Sequence, residues 1–94
     1  PHTPLLSGYG HDGQEQRVTV QLTAGACYTF VSSGGGGMRA LYAYLWDTRR
    51  KRVATDKADQ DSVISYCARA SGPHLYLVKA AGGDGPFRSV LYGP

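Results

Sequence analysis

Apolar and polar residues alternate along most of this chain. In "RVTVQLT", residues 17–23, Val18, Val20 and Leu22 fall on one face and Arg17, Thr19 and Gln21 on the other. That period of two marks a half-buried strand. After the turn "AGA" comes "CYTFVSS", residues 27–33, with Tyr28 and Phe30 in register against Cys27, Thr29 and Val31. "GGGG", residues 34–37, is a loop, because no regular element tolerates that much backbone freedom. "ALYAYLWD" then predicts a strand over 40–47, "TRRK" a tight turn, and "RVATD" a strand over 52–56. Past the polar loop "KADQD", strands follow in "SVISYC", "HLYLVKA" and "FRSVLY", separated by "ARASGP" and "AGGDGP". No segment shows a 3.6-residue period. Seven strands result, and eight if "PLLSG" pairs at an edge. Their short, even spacing predicts an all-β fold, an antiparallel β-sandwich. Residues 16–94 form the single sandwich domain, and residues 1–15 an N-terminal segment, either an edge strand or a linker.

One strand breaks the half-wet rule. In "ALYAYLWD" the large side chains occupy both registers: Leu41, Ala43 and Leu45 on one, Tyr42, Tyr44 and Trp46 on the other. Three aromatics in one register make a stripe about 13–14 Å long. Rigid rings of this kind stack on sugars or on the apolar side of a peptide. Two bland readings stand beside that one. A loop or the N-terminal segment covers the rings, or the rings serve cross-strand packing.

Charge sharpens the question. The net charge is only +3, yet four of the ten cations are consecutive: Arg49, Arg50, Lys51 and Arg52. As a solvated hairpin tip they protect against edge pairing. As a functional patch they suit an anionic polymer or an acidic protein, and they also form an exposed protease cleavage motif. Four cations beside three aromatics suit single-stranded nucleic acid in principle, but no nucleic-acid motif accompanies them, so that partner is disfavoured. Asp47, Asp56, Asp59 and Asp61 lie close enough in sequence to pair with the cations, at about 0–1 kcal/mol for each surface pair. No apolar run approaches the length of a membrane span.

Two cysteines, Cys27 and Cys67, stand without CxxC spacing or paired histidines, so zinc is poorly supported. They are read as a disulfide, with two buried free thiols as the alternative. Cys27 opens one strand and Cys67 closes another, which suits a bridge between antiparallel neighbours. A disulfide implies an oxidising compartment: secreted, periplasmic or cell-surface. Catalysis finds little support. A bridged cysteine is no nucleophile. Ser32 and Ser33 lack a "GxSxG" frame, His74 reads as a core or half-buried histidine, and "GGGG" lacks the "GK[ST]" of a phosphate loop. No cofactor is expected and the chain is read as a non-enzyme.

The order of these motifs, "VTVQLTAG", "CYTF", a glycine loop, "LYAYLWD", "RVATD", "SVISYC" and "SGPHLYLVKAAGGDGPF", resembles the bacterial pre-peptidase C-terminal domain, in its cysteine-containing variety. The likeness runs from about Gln16 to Gly93 and rests on order and spacing. It implies a jelly-roll-like sandwich with Leu41, Ala43, Leu45, Ile64, Tyr66, Tyr76 and Val78 inward and Tyr42, Tyr44 and Trp46 outward. Two residues depart from the family pattern: Tyr42 replaces a common acidic residue, and His74 a common core aromatic. The resemblance further implies an accessory module of an exported bacterial protein, beside a peptidase domain. Relatives that include the collagen-binding modules of clostridial collagenases bind protein or polysaccharide through a sheet face. Some relatives bind calcium near the N-terminus, where this chain offers only Asp12 and Glu15, short of a six- to eight-oxygen site. The expected contact surface is Tyr42, Tyr44 and Trp46 bordered by Arg49–Arg52. The runner-up is an assembly subunit that self-associates through that face or a sheet edge.

Overall fold

The computed structural model describes residues 2–58 and 61–94. Its eight strands are β1 (His2–Gly10), β2 (Glu15–Leu22), β3 (Cys27–Gly34), β4 (Leu41–Trp46), β5 (Arg52–Ala58), β6 (Ser62–Cys67), β7 (Gly72–Ala80) and β8 (Gly85–Tyr92). They form two antiparallel four-stranded sheets, ordered β1-β8-β3-β6 and β2-β7-β4-β5. Every pair is antiparallel, and the strands nest: β1 with β8, β2 with β7, β3 with β6, β4 with β5. The fold is therefore the expected all-β sandwich, with the pairing of a jelly roll. The tight turn falls in "TRRK" as expected, and Arg52 opens β5.

Alternation decides which side chains meet between the sheets. From the first sheet come Tyr28, Phe30, Ile64 and Phe87; from the second, Val20, Leu22, Leu41, Leu45, Tyr76 and Val78. Phe30 and Tyr76 stack across the gap at 4.8 Å between centroids. Tyr76 carries a hydroxyl into this layer, and a buried hydroxyl needs partners. It lies 2.5 Å from Ser32 Oγ, which lies 2.6 Å from Ser89 Oγ. Burial, opposed by those serines, pushes the Tyr76 phenol up from its ordinary value. A second polar tie runs between the sheets where Ser62 Oγ donates to the Leu41 carbonyl.

Cys27 and Cys67 are register partners on β3 and β6 and form a disulfide. It lies across a strand pair whose ladder runs on beyond it, as Ala68 N–H donates to the Ala26 carbonyl. At the opposite end of the sandwich the loop 81–84 tucks against the glycine loop. Gly83 adopts φ 77°, and a Cβ there would collide with the Gly37 carbonyl. A Gly83→Ala variant should therefore lose about 2–3 kcal/mol, combining left-handed strain with the clash. Urea unfolding measures this, and a loss below 0.5 kcal/mol (roughly the noise of a neutral surface change) would show that the loop relaxes freely.

Candidate functional site

The outer face of the second sheet answers the question raised by β4. On β4 the inward residues Leu41, Ala43 and Leu45 are fully buried, while Tyr42, Tyr44 and Trp46 point out and are half-buried. The neighbouring strand β7 shows the same two-sided pattern. Tyr76 and Val78 face the core, whereas Leu75 and Leu77 stand opposite Trp46 and Tyr44 on the outer face. Two central strands therefore share one apolar outer surface. Leu77 is only 5% exposed although it points outward, because the side chains around it close over it.

Strand β1 does not cover this surface, since it is paired into the other sheet. The rings are flanked instead by one another and by long cations. Tyr44 and Trp46 stack at 5.8 Å and 30°. A bulge between Leu45 and Trp46 brings Arg52 opposite Trp46, and its guanidinium sits 5.8 Å from the Tyr44 centroid. Lys57 Nζ sits 5.6 Å from the Tyr42 centroid. In both contacts the cation lies over a ring, the arrangement of a cation–π pair. On the far side, Arg17 and Glu15 of β2 close a shallow concavity of about 340 Å³ floored by Leu75 and Leu77. Lys79, opposite both Tyr42 and Glu15, extends the basic rim.

The β4–β5 turn is tightly built. Asp47 Oδ1 accepts hydrogen bonds from the N–H groups of Arg49 (2.8 Å) and Lys51 (2.9 Å). The Lys51 N–H is the main reason the Asp47 carboxyl sits below its ordinary range. Desolvation opposes it, and the Arg49 N–H and the nearness of His74 and Lys51 assist. Asp56 spends an oxygen on the Val63 N–H. Neither carboxylate is thus given over to a cation side chain, while Asp59 lies outside the described residues. Arg50 holds φ 63°, a conformation that costs a non-glycine residue about 1–2 kcal/mol.

The structure thus brings Tyr44, Trp46 and Arg52 together, with Tyr42 beside Lys57. It leaves Arg49, Arg50 and Lys51 exposed on the turn at the end of the stripe. Local reading missed Arg17, Leu75, Leu77, Lys57 and Lys79. The two leucines had a visible signal, since "HLYLVKA" repeats the two-register pattern of "ALYAYLWD". The cations had none, because only the sheet order makes them neighbours. At the other end of the molecule, the Asp12 N–H donates to Asp84 Oδ1 at 2.7 Å, and Glu15 lies 3.5 Å from Arg17. Among the described residues no group of three or more His, Cys, Asp or Glu is placed to hold a metal ion.

The fold has a solved counterpart. It is similar to the crystal structure of Aeromonas hydrophila PliG, a periplasmic lysozyme inhibitor of g-type lysozyme, with a TM-score of 0.67 and 17% identity. The likeness covers 99% of this chain and 86% of that one. At this identity what is shared is the fold. No family model matches the chain, and no curated protein matches it. Among the described residues no helix is long and apolar enough to cross a membrane.

Proposed function

We propose that this chain is a non-catalytic protein-binding module that works outside the cytoplasm and docks through the outer face of its second sheet. One observation carries the reading. Two adjacent central strands present Tyr42, Tyr44, Trp46 and Leu75 outward over a covered Leu77, on a face crossed by no other segment among the described residues. Aromatic rings and arginines on such a face are the residue types that dominate binding energy. The rim of Arg17, Arg52, Lys57 and Lys79 against Glu15 selects an acidic protein surface. The disulfide supports an exported location. The groups a hydrolase would use are committed elsewhere: both cysteines are bridged, and the Ser32 hydroxyl is bonded to Tyr76 and Ser89.

The PliG likeness supports a protein partner, and an exported enzyme such as a g-type lysozyme is the first candidate. The resemblance to pre-peptidase domains adds an adjoining peptidase as the second. Trp46 is the only tryptophan, so its emission reports directly on the face. Titration with a g-type lysozyme should shift that emission and give calorimetric binding. Trp46→Ala or Tyr44→Ala should each weaken binding about 30-fold or more, the effect of losing a central aromatic anchor. Their unfolding midpoints should move by only a few degrees, since both rings point away from the core. Binding that survives both substitutions would sink the proposal. So would burial of Trp46 by concentration-dependent self-association, which would favour the assembly subunit, or an emission change only with polysaccharide.

A further inference from the structure

Beyond the aromatic face, the β4–β5 turn and the β6–β7 turn enclose a concavity of about 500 Å³ at the end of the sandwich. Arg49, Lys51, Arg52 and Arg69 line it, against one carboxylate, Asp47. One oxygen of that carboxylate is already taken by two backbone N–H groups. At its floor lies His74, which is 1% exposed. His74 Nδ1 sits 3.0 Å from the Gly72 carbonyl. A carbonyl only accepts, so Nδ1 carries a proton, and in the uncharged tautomer that leaves a bare lone pair at Nε2. Nε2 is buried and has no hydrogen-bond partner among the described residues. Leaving such an atom unsatisfied is costly.

We propose that this concavity is a binding site for the carboxylate of an acidic peptide segment, and that its occupation draws a proton onto His74. The cations supply the attraction and the fork geometry that carboxylates take. Protonation turns Nε2 from an unanswered acceptor into an N–H donor toward the bound oxygen. The charged groups around the ring are accounted for. Asp47, Arg49, Lys51 and Arg52 come from the β4–β5 turn and the start of β5. Tyr66 and Arg69 come from β6 and the turn after it. Arg17 and Arg50 lie on the other side of the same turn, in a second concavity that also reaches His74. Thr48 and Arg49 of the β4–β5 turn line the concavity beside the ring. The site adjoins the aromatic face and shares Arg52 with it, and its test needs no protein partner.

The probe is the blocked dipeptide acetyl-Glu-Glu-amide, with acetyl-Gln-Gln-amide and glucuronate as controls, at fixed ionic strength. Nitrogen-15 NMR of the whole chain follows backbone amides and the His74 ring. The acidic dipeptide should shift amides of residues 47–52, 69 and 74 in a saturable way, and the Gln dipeptide should not. Binding should tighten as pH falls from 8 to 6, by up to about tenfold per pH unit for one proton taken up, with the His74 ring titration moving upward in the complex. Arg69→Gln and Lys51→Gln, both at exposed positions, should each weaken binding about fivefold without unfolding the chain, the scale of one charged hydrogen bond. His74→Gln should abolish the pH dependence. Overturning results are an equal response to the Gln dipeptide, a response to glucuronate alone, no localised shifts, or binding that leaves the His74 titration in place.

Discussion

Replacing both cysteines by serine should destabilise the chain by about 4 kcal/mol and lower its melting temperature by roughly 15–30 °C. Cys27 and Cys67 are 40 residues apart in sequence. Closing a loop of that size removes much of the freedom of the unfolded chain, and the entropic estimate gives the figure above. Packing losses add little, since both cysteines are exposed. For a domain of this size, total stability is of the order of 5–10 kcal/mol, so the bridge decides whether the reduced chain stays folded at body temperature. Thermal melts with and without reductant measure it. A shift under 5 °C would mean that the nested sheets alone close the loop, and the export argument would lose its main physical support.

The second large effect is expected at Tyr76. Tyr76→Ala should cost about 4 kcal/mol, because it removes a fully buried ring stacked on Phe30. Tyr76→Phe should cost only about 1 kcal/mol, since Ser32 and Ser89 still bond each other. The phenol also gives stability a pH signature. Its folded pKa is raised, chiefly by burial. Unfolded, it ionises near the ordinary value of 10.0. Its contribution is therefore complete below that pH and declines as pH rises through the interval up to the folded value, by at most about 1.4 kcal/mol per pH unit. Chemical denaturation between pH 9 and 11.5 should show a shallower decline for Tyr76→Phe than for the parent. Parallel declines would mean that other tyrosines set the alkaline limit.

Alternation made the strands legible, because each buries one register against a partner sheet. "RVTVQLT" announces Val20 and Leu22 as core without further information. The Cys27–Cys67 pairing was legible too, once the two residues were seen to bracket strands that run in opposite directions. The sheet order was less accessible. Nothing local says that β7 lies between β2 and β4, and hence that Leu77 meets Tyr44 or that Arg17 borders the same hollow. Nor does the sequence reveal that Arg69 reaches across to the β4–β5 turn. His74 could be read as buried, but its unanswered Nε2 appears only when every neighbouring donor has a position. Patterns along the chain report which way a side chain points. Its neighbours depend on pairings between distant segments.

The nested pairing also sets an order of events for the chain as it folds. Only β4 and β5 form a local hairpin. Each wider pair closes a longer stretch of chain, out to His2 opposite Tyr92. Long-range closure of this kind is slow, so the unfinished chain exposes open strand edges and naked core surface while it waits. Joining Cys27 to Cys67 holds the β3–β6 pair and shortens the loop that each of the two wider pairs has to close. A ribosome-fresh copy is thus most vulnerable to aggregation before its sulfurs meet, and an oxidase acting early would shorten that interval.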